Sequence, residues 1–289
     1  MVVQTIDGVS FQLKETYDFS FVNKYGKVFK VFDKQGSGAL CFGTEKAGKR
    51  YFLKFAGAKN IKYDETLNIE DAISILRYSV LKYRDLKHPL LVNLISGEEI
   101  GGGFLTVFDW FDGVSFGYPQ REMCKKFMAL PVEKKQRVYE GILEFHAHVA
   151  EQGYVAIDFN DQNVLYNFDN GNFAICDIDF YAKQCYMNGS LDGFGAPLHM
   201  SPEENRIYGL VDEVSNVYTM GATAFCFFAD AMFTEGFTQD NNFLREKWEL
   251  SKELREVAKK AVSEPRSERQ QSIRSFIAEW KTANKIIFQ

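Results

Sequence analysis

Asp158 and Asn163 stand five residues apart in "GYVAIDFNDQNVLYN" (153–167), between an apolar run that ends a helix and an alternating, strand-like stretch. Phosphoryl transfer asks a loop for two things: a carboxylate beside an incoming hydroxyl and a neutral oxygen donor for a metal. Asp177 and Asp179 follow in "FAICDIDFY". Side chains alternate along a strand, so both carboxylates are expected on one face, where magnesium would relieve their repulsion. Upstream, "KQGSGALCFGTEKAGKRYFLKF" carries Gly36 and Gly38 in a strand–turn–strand setting, with Lys54 on the following strand. Glycines let backbone N–H groups approach phosphate oxygens, and an ammonium neutralises them. Each feature also has a plainer reading: a Gly-rich turn with a surface lysine, Asp and Asn as turn formers that bond local backbone, and a solvated strand end.

The elements that must position these residues change character along the chain. The first half is strand-rich, with "VFKVFDK", "GALCFGTE", "KRYFLKFAG" and "GFLTVFDWF" separated by turns such as "KAGK". One helix interrupts it, from Ile69 to Leu86, where Ile73, Leu76, Val80 and Tyr83 recur at helical spacing; Pro89 is expected to end it. After a linker near residues 109–113, Val138, Ile142, Phe145 and Val149 line one face of a long helix closed by Gly153. "NVLYNF" and "FAICDIDF" read as a hairpin, and Asn170-Gly171 predicts a two-residue turn. From about Pro202 the pattern is helical, with Pro265 as a late break. The expected fold class is α+β: one domain over 1–289, with a β-rich N-lobe at about 1–110 and a mainly helical C-lobe at about 111–289. A cleft between such lobes is a common place for a small-molecule site.

Composition narrows the class. A formal net charge of −5 argues against a general grip on nucleic acid. Five cysteines with no C-x-x-C fit reduced thiols in a cytosol. The N-terminal stretch lacks a basic-then-apolar signal. The most apolar run, from Tyr218, is broken by Asp230 and falls short of the roughly 20 residues a bilayer span needs; it reads as a helix buried in a core. The expectation is a soluble, cytoplasmic protein with no nucleic-acid partner and no membrane span. His146 and His148 bracket an alanine without zinc-like spacing, and His88 is expected to shape a helix end.

Taken in order, the glycine turn, strand lysine, helix, "HP", linker, long helix, D-x4-N loop, hairpin and aspartate resemble the protein-kinase family over about residues 30–280. "AIDFNDQN" is similar to its catalytic loop, and Asp177-Ile178-Asp179 or Asp179-Phe180-Tyr181 loosely matches its D-F-G. "GAPLHMSPEE" resembles the end of its activation segment, "NVYTMGATAF" its D-V-W-S-L-G-V helix, and "SEPRSERQQSIRSF" its late P-x-x-R-x-S stretch. The resemblance implies a bilobal protein kinase-like fold and transfer of the ATP γ-phosphate to a protein hydroxyl, with Mg2+. It implies that Lys54 holds the α- and β-phosphates and that Asp158 orients or deprotonates the acceptor. Asn163 and Asp177 would hold magnesium, with Asp179 second to Asp177. The carbonyl of Asp109 and the amide of Phe111 would meet the adenine edge, and Arg269 would pair with Glu203.

The match also departs from its pattern. Ala156-Ile157 stands where the family has His-Arg, which implies no switching by phosphorylation between Asp179 and Pro202. Asn160 replaces a lysine, Cys41 the third glycine, Ser79 the helix glutamate and Asn216 a buttressing aspartate, for which Asp212, one turn earlier, is the candidate substitute. Three activities are compatible with this: an active protein kinase, a kinase-shaped binding or scaffold module with little transfer, and a small-molecule kinase of the aminoglycoside or choline type.

Overall fold

Alternating apolar residues in the first part of the chain fold as an antiparallel sheet. The structure, a computed structural model, describes residues 1–34, 38–62, 68–116, 120–189, 195–229 and 247–285. The chain divides into two compact units, Met1–Asp112 and Gly113–Gln289.

The first unit opens with a hairpin of β1 (Val2–Ile6) and β2 (Val9–Leu13). Its turn, Asp7-Gly8, has φ of 51° and 86°, the double positive that a tight hairpin needs. β3 (Lys27–Phe32), β4 (Leu40–Lys46), β5 (Lys49–Ala56), β6 (Leu94–Ile100) and β7 (Gly103–Asp109) form a sheet in the order β3-β4-β5-β7-β6, antiparallel throughout. Leu53, Phe55, Leu105 and Val107 pack with Phe11, Leu13, Phe19 and Val22 on one face. By strand alternation Ala56 and Phe104 point the other way, where they pack with Ile73, Leu76 and Val80 of α1 (Ile69–Asp85). Helix α1 is capped by Asn68, whose side chain accepts from the Glu70 amide. It stops at Asp85, ahead of Pro89, with the Leu86 amide closing onto Lys82 O; beyond it Leu90 N–H donates to His88 Nδ1 and Leu91 N–H to His88 O.

The second unit contains α2 (Arg121–Met128), α3 (Val132–Glu151), α4 (Glu213–Phe228), α5 (Lys252–Ala261) and α6 (Ile273–Lys285). Helix α4 is buried from Ser215 to Phe228, as expected of the apolar run, and α3, α5 and α6 pack around it. Gly153 (φ 71°) ends α3 with its amide bonded to Ala150 O. Among the described residues no helix is long and apolar enough to cross a membrane.

Short strands thread between the helices: β8 (Val114–Ser115), β9 (Tyr154–Val155), β10 (Val164–Tyr166), β11 (Phe173–Ile175), β12 (Ala182–Lys183), β13 (Tyr186–Met187) and β14 (Leu210–Val211). Strand β14 lies within the stretch expected to be helical, where it pairs with β13. The β10–β11 hairpin forms, but its loop is longer than the two residues expected. Asn167 N–H bonds Asn172 O, and the Asn167 side chain collects the Asp169 and Asn170 amides, so Gly171 alone needs positive φ.

Candidate functional site

In the first unit Lys54 lies on β5 between Cys41 of β4 and Thr106 of β7, and it is buried despite its charge. It shares the sheet face of Ala56, the face that carries α1. Cys41 is buried across from it, a packing position. Ser79 is buried too and donates its hydroxyl to Leu76 O in its own helix, while Glu70 and Asp71 stand exposed in the first turn. Gly38 has φ 75° ahead of β4; Gly36 lies outside the described residues. Asp109 ends β7 with its amide on Asn93 O and its carboxylate held by Lys49 at 2.9 Å and Asn93 at 2.6 Å. The hydrogen bond of Lys49 is the main reason that carboxylate sits below its ordinary pKa. Half-buried Phe111 follows Trp110, whose amide closes onto Arg50 O.

In the second unit the hairpin register does the assembling. Val164 pairs with Ile175, which sets Asn163 beside Cys176 and Asp177. The Cys176 amide donates to Asn163 O at 2.8 Å, and Asn163 Nδ2 donates to Asp177 O at 3.3 Å. Asn163 Oδ1 in turn accepts the Asn160 amide at 2.7 Å, closing a capping box around the 3-10 turn Asp161–Asn163. Asn160 Nδ2 reaches back to Asp158, 3.3 Å from Oδ1 and 3.2 Å from its carbonyl oxygen. The Asp158 side chain and the Asp177 carbonyl are thus linked through Asn160, by its side chain and its backbone amide, and the Asn163 carboxamide. Both aspartates sit on left-handed backbone, φ 63° and 58°, a conformation that costs a non-glycine residue about 1 kcal/mol.

That geometry corrects one expectation. β11 ends at Ile175, so Asp177 and Asp179 do not alternate on a strand. The left-handed turn at Asp177 leaves it exposed, whereas Asp179 is buried. Among the described residues no three His, Cys, Asp or Glu side chains converge as a metal cage.

Two residues hold this region in ways the sequence reading missed. Asn216 of α4 accepts the Ala156 amide and donates to the Ala156 carbonyl, both at 2.7 Å. The carboxamide therefore buttresses the loop itself, and Asp212 does not substitute. Asp212 caps α4 through the Val214 and Ser215 amides and receives Arg266 at 2.6 Å. Arg266 also bonds Glu203 at 2.5 Å; its signal in the sequence was a second arginine in "PRSER". Arg269 and Glu203 form the expected pair, and it is bidentate, 2.8 and 3.2 Å, with Ser215 donating to the same carboxylate at 2.8 Å. Burial alone would raise Glu203, but the Arg269 and Ser215 hydrogen bonds hold it below the usual range. Next to it, burial pushes Glu204 up to about 7 even though the Ser201 amide and hydroxyl both donate to it.

The nucleotide-side candidates belong to the first unit and the acidic ones to the second. Compared with known proteins, the chain matches no family model and no curated protein.

Proposed function

We propose that this chain is an ATP-dependent phosphotransferase with a protein kinase-like, bilobal build that transfers the ATP γ-phosphate to a protein hydroxyl. The observation that carries the reading is the joined pair of aspartates: Asp158 and Asp177, both on left-handed backbone and linked through Asn160 and Asn163. Backbone strain of this kind persists where placement of a side chain matters more than local comfort. In this reading Asp158 orients or deprotonates the acceptor hydroxyl. Lys54 holds the α- and β-phosphates, with Gly36 and Gly38 as the sequence's further candidates for them, and the Asp109 carbonyl and Phe111 amide meet the adenine edge.

The residues fit a magnesium ion carried mainly by nucleotide. Such an ion takes one or two protein oxygens and leaves the rest to phosphate and water. Asp177 offers an exposed carboxylate, and Asn163 Oδ1 keeps a second lone pair beyond the one facing the Asn160 amide. The burial of Asp179 favours Asp177 as the main ligand. When bound, magnesium would neutralise phosphate charge. A protein acceptor is supported by "GAPLHMSPEE" and the Glu203–Arg269 pair.

The test is binding of Mg-ATP by thermal shift, then transfer of labelled phosphate to the chain itself and to generic protein substrates, with D177N as control. Magnesium-dependent transfer that D177N abolishes is the expected result; transfer untouched by D177N removes Asp177 from the reading. One observation favours a second reading, a kinase-shaped binding module: the amide of Asn160, not a lysine, lies against Asp158, so the γ-phosphate lacks a cation there. Nucleotide binding without transfer is the outcome that selects it.

A further inference from the structure

We infer that His146 and Tyr181 are positioning residues that fix the Asp158 loop against the Asp177–Asp179 turn. The inference rests on the phosphotransfer reading of those two segments.

His146 lies in the middle of α3 and is fully buried, as is the Tyr181 ring. Its Nδ1 is 2.8 Å from Ile142 O, one helical turn back. A carbonyl oxygen only accepts, so Nδ1 carries the proton and Nε2 presents a lone pair. The Tyr181 hydroxyl, 2.9 Å from Nε2, must therefore donate to it. Burial lowers His146 to about 4, against a hydrogen bond that pulls the other way, so the ring is neutral and this polarity is fixed at ordinary pH.

The same imidazole meets the Phe159 ring edge-on, with centroids 4.2 Å apart. Phe159 is buried between Asp158 and Asn160 in the chain, so the ring anchors the loop that carries both. Tyr181 closes a turn, its amide donating to Ile178 O at 3.1 Å, and that turn encloses Asp179 and Phe180 directly after Asp177. One side chain of α3 thus grips both segments. The residues ahead of Asp158, Ala156 and Ile157, are apolar and buried and cannot make such a link with their side chains.

Y181F removes only the hydroxyl and keeps the ring, H146L removes both polar atoms, and H146Q restores a donor and an acceptor. All four proteins are compared as folded full chains, checked by circular dichroism, in steady-state transfer with Mg-ATP. Y181F and H146L are expected to lower kcat about tenfold with KM for Mg-ATP unchanged within about twofold, and H146Q to recover most of the loss. Full kcat in Y181F and H146L with only a lower melting temperature overturns the inference, as does a rise in KM at constant kcat. A wild-type chain that binds Mg-ATP without transferring phosphate overturns the phosphotransfer reading and this inference with it.

Discussion

Asp158 and Asp177 sit on left-handed backbone and are joined through asparagine amides, whereas Glu203 and Asp212 lie outside the left-handed region and are held by two arginines. The two acidic clusters belong to the same unit, yet they treat charge in opposite ways. Around Glu203 the guanidinium of Arg269 is buried against the carboxylate, and the pair ties the segment at Pro202–Glu204 to the residues before α6. Around Asp177 the backbone bends out of β11 to leave a carboxylate exposed. Removing one member of a buried, paired cluster is costly, whereas a change at a carboxylate held at the surface on strained backbone costs the fold little. Substitutions should therefore separate the two clusters cleanly.

The sharpest separation is expected at Asp158. D158N keeps a residue that tolerates left-handed backbone, so the urea midpoint should hold or rise slightly, while phosphate transfer falls by about 10²–10⁴-fold. A D158N protein with full transfer and lost stability would merge the two clusters into one structural class. Arg269 should behave in the reverse way. R269A removes the fully buried one of the two arginines on Glu203 and leaves that carboxylate only Arg266 and Ser215, at an expected cost of about 3 kcal/mol in urea unfolding; a loss below about 1 kcal/mol would mean that Arg266 alone can carry Glu203.

The neighbour of that pair gives a pH signature. Glu204 titrates at about 7 in the folded chain against an ordinary 4.5. The folded state thus binds the extra proton between those values, and stability falls as pH rises through that window, by about 3 kcal/mol in all. His146 and His199, both lowered to about 4 by burial, act in the opposite sense: the stability they lend is complete above the ordinary histidine value and is lost as pH falls toward 4. E204Q should remove the first trend and leave the second, so its midpoint between pH 5 and 7.5 should climb where the wild type's is flatter or falls. The smallest effect is expected at Asn216. N216D keeps an acceptor for the Ala156 amide but loses the donor to the Ala156 carbonyl, a cost of about 1–3 kcal/mol in chemical denaturation.

How much of this was legible follows from how local each cause is. The strands around Lys54 and the face of α3 are written in short-range periodicity, and the Gly153 stop needs only the next turn of helix. The N-terminal hairpin is equally legible, since Asp7-Gly8 stands between alternating apolar residues. The spacing of Asp158 and Asn163 lies within one loop and could be seen; the conformation of Asp177 could not, because it depends on where pairing with β10 runs out. The part played by Asn216 was misassigned for a similar reason. Its partner, Ala156, is 60 residues away, and a substitution of Asp by Asn reads as a loss until both of its bonds to that one residue's backbone are seen.

That last joint has a consequence for measurement. A carboxamide carries no ionisable proton, so the clasp between α4 and the peptide ahead of Asp158 presents the same donor and acceptor in acid and in base. An aspartate there would add its own titration to any rate profile. With asparagine, the clasp drops out, and a pH profile of stability or of the proposed transfer reads the acids and bases elsewhere in the chain.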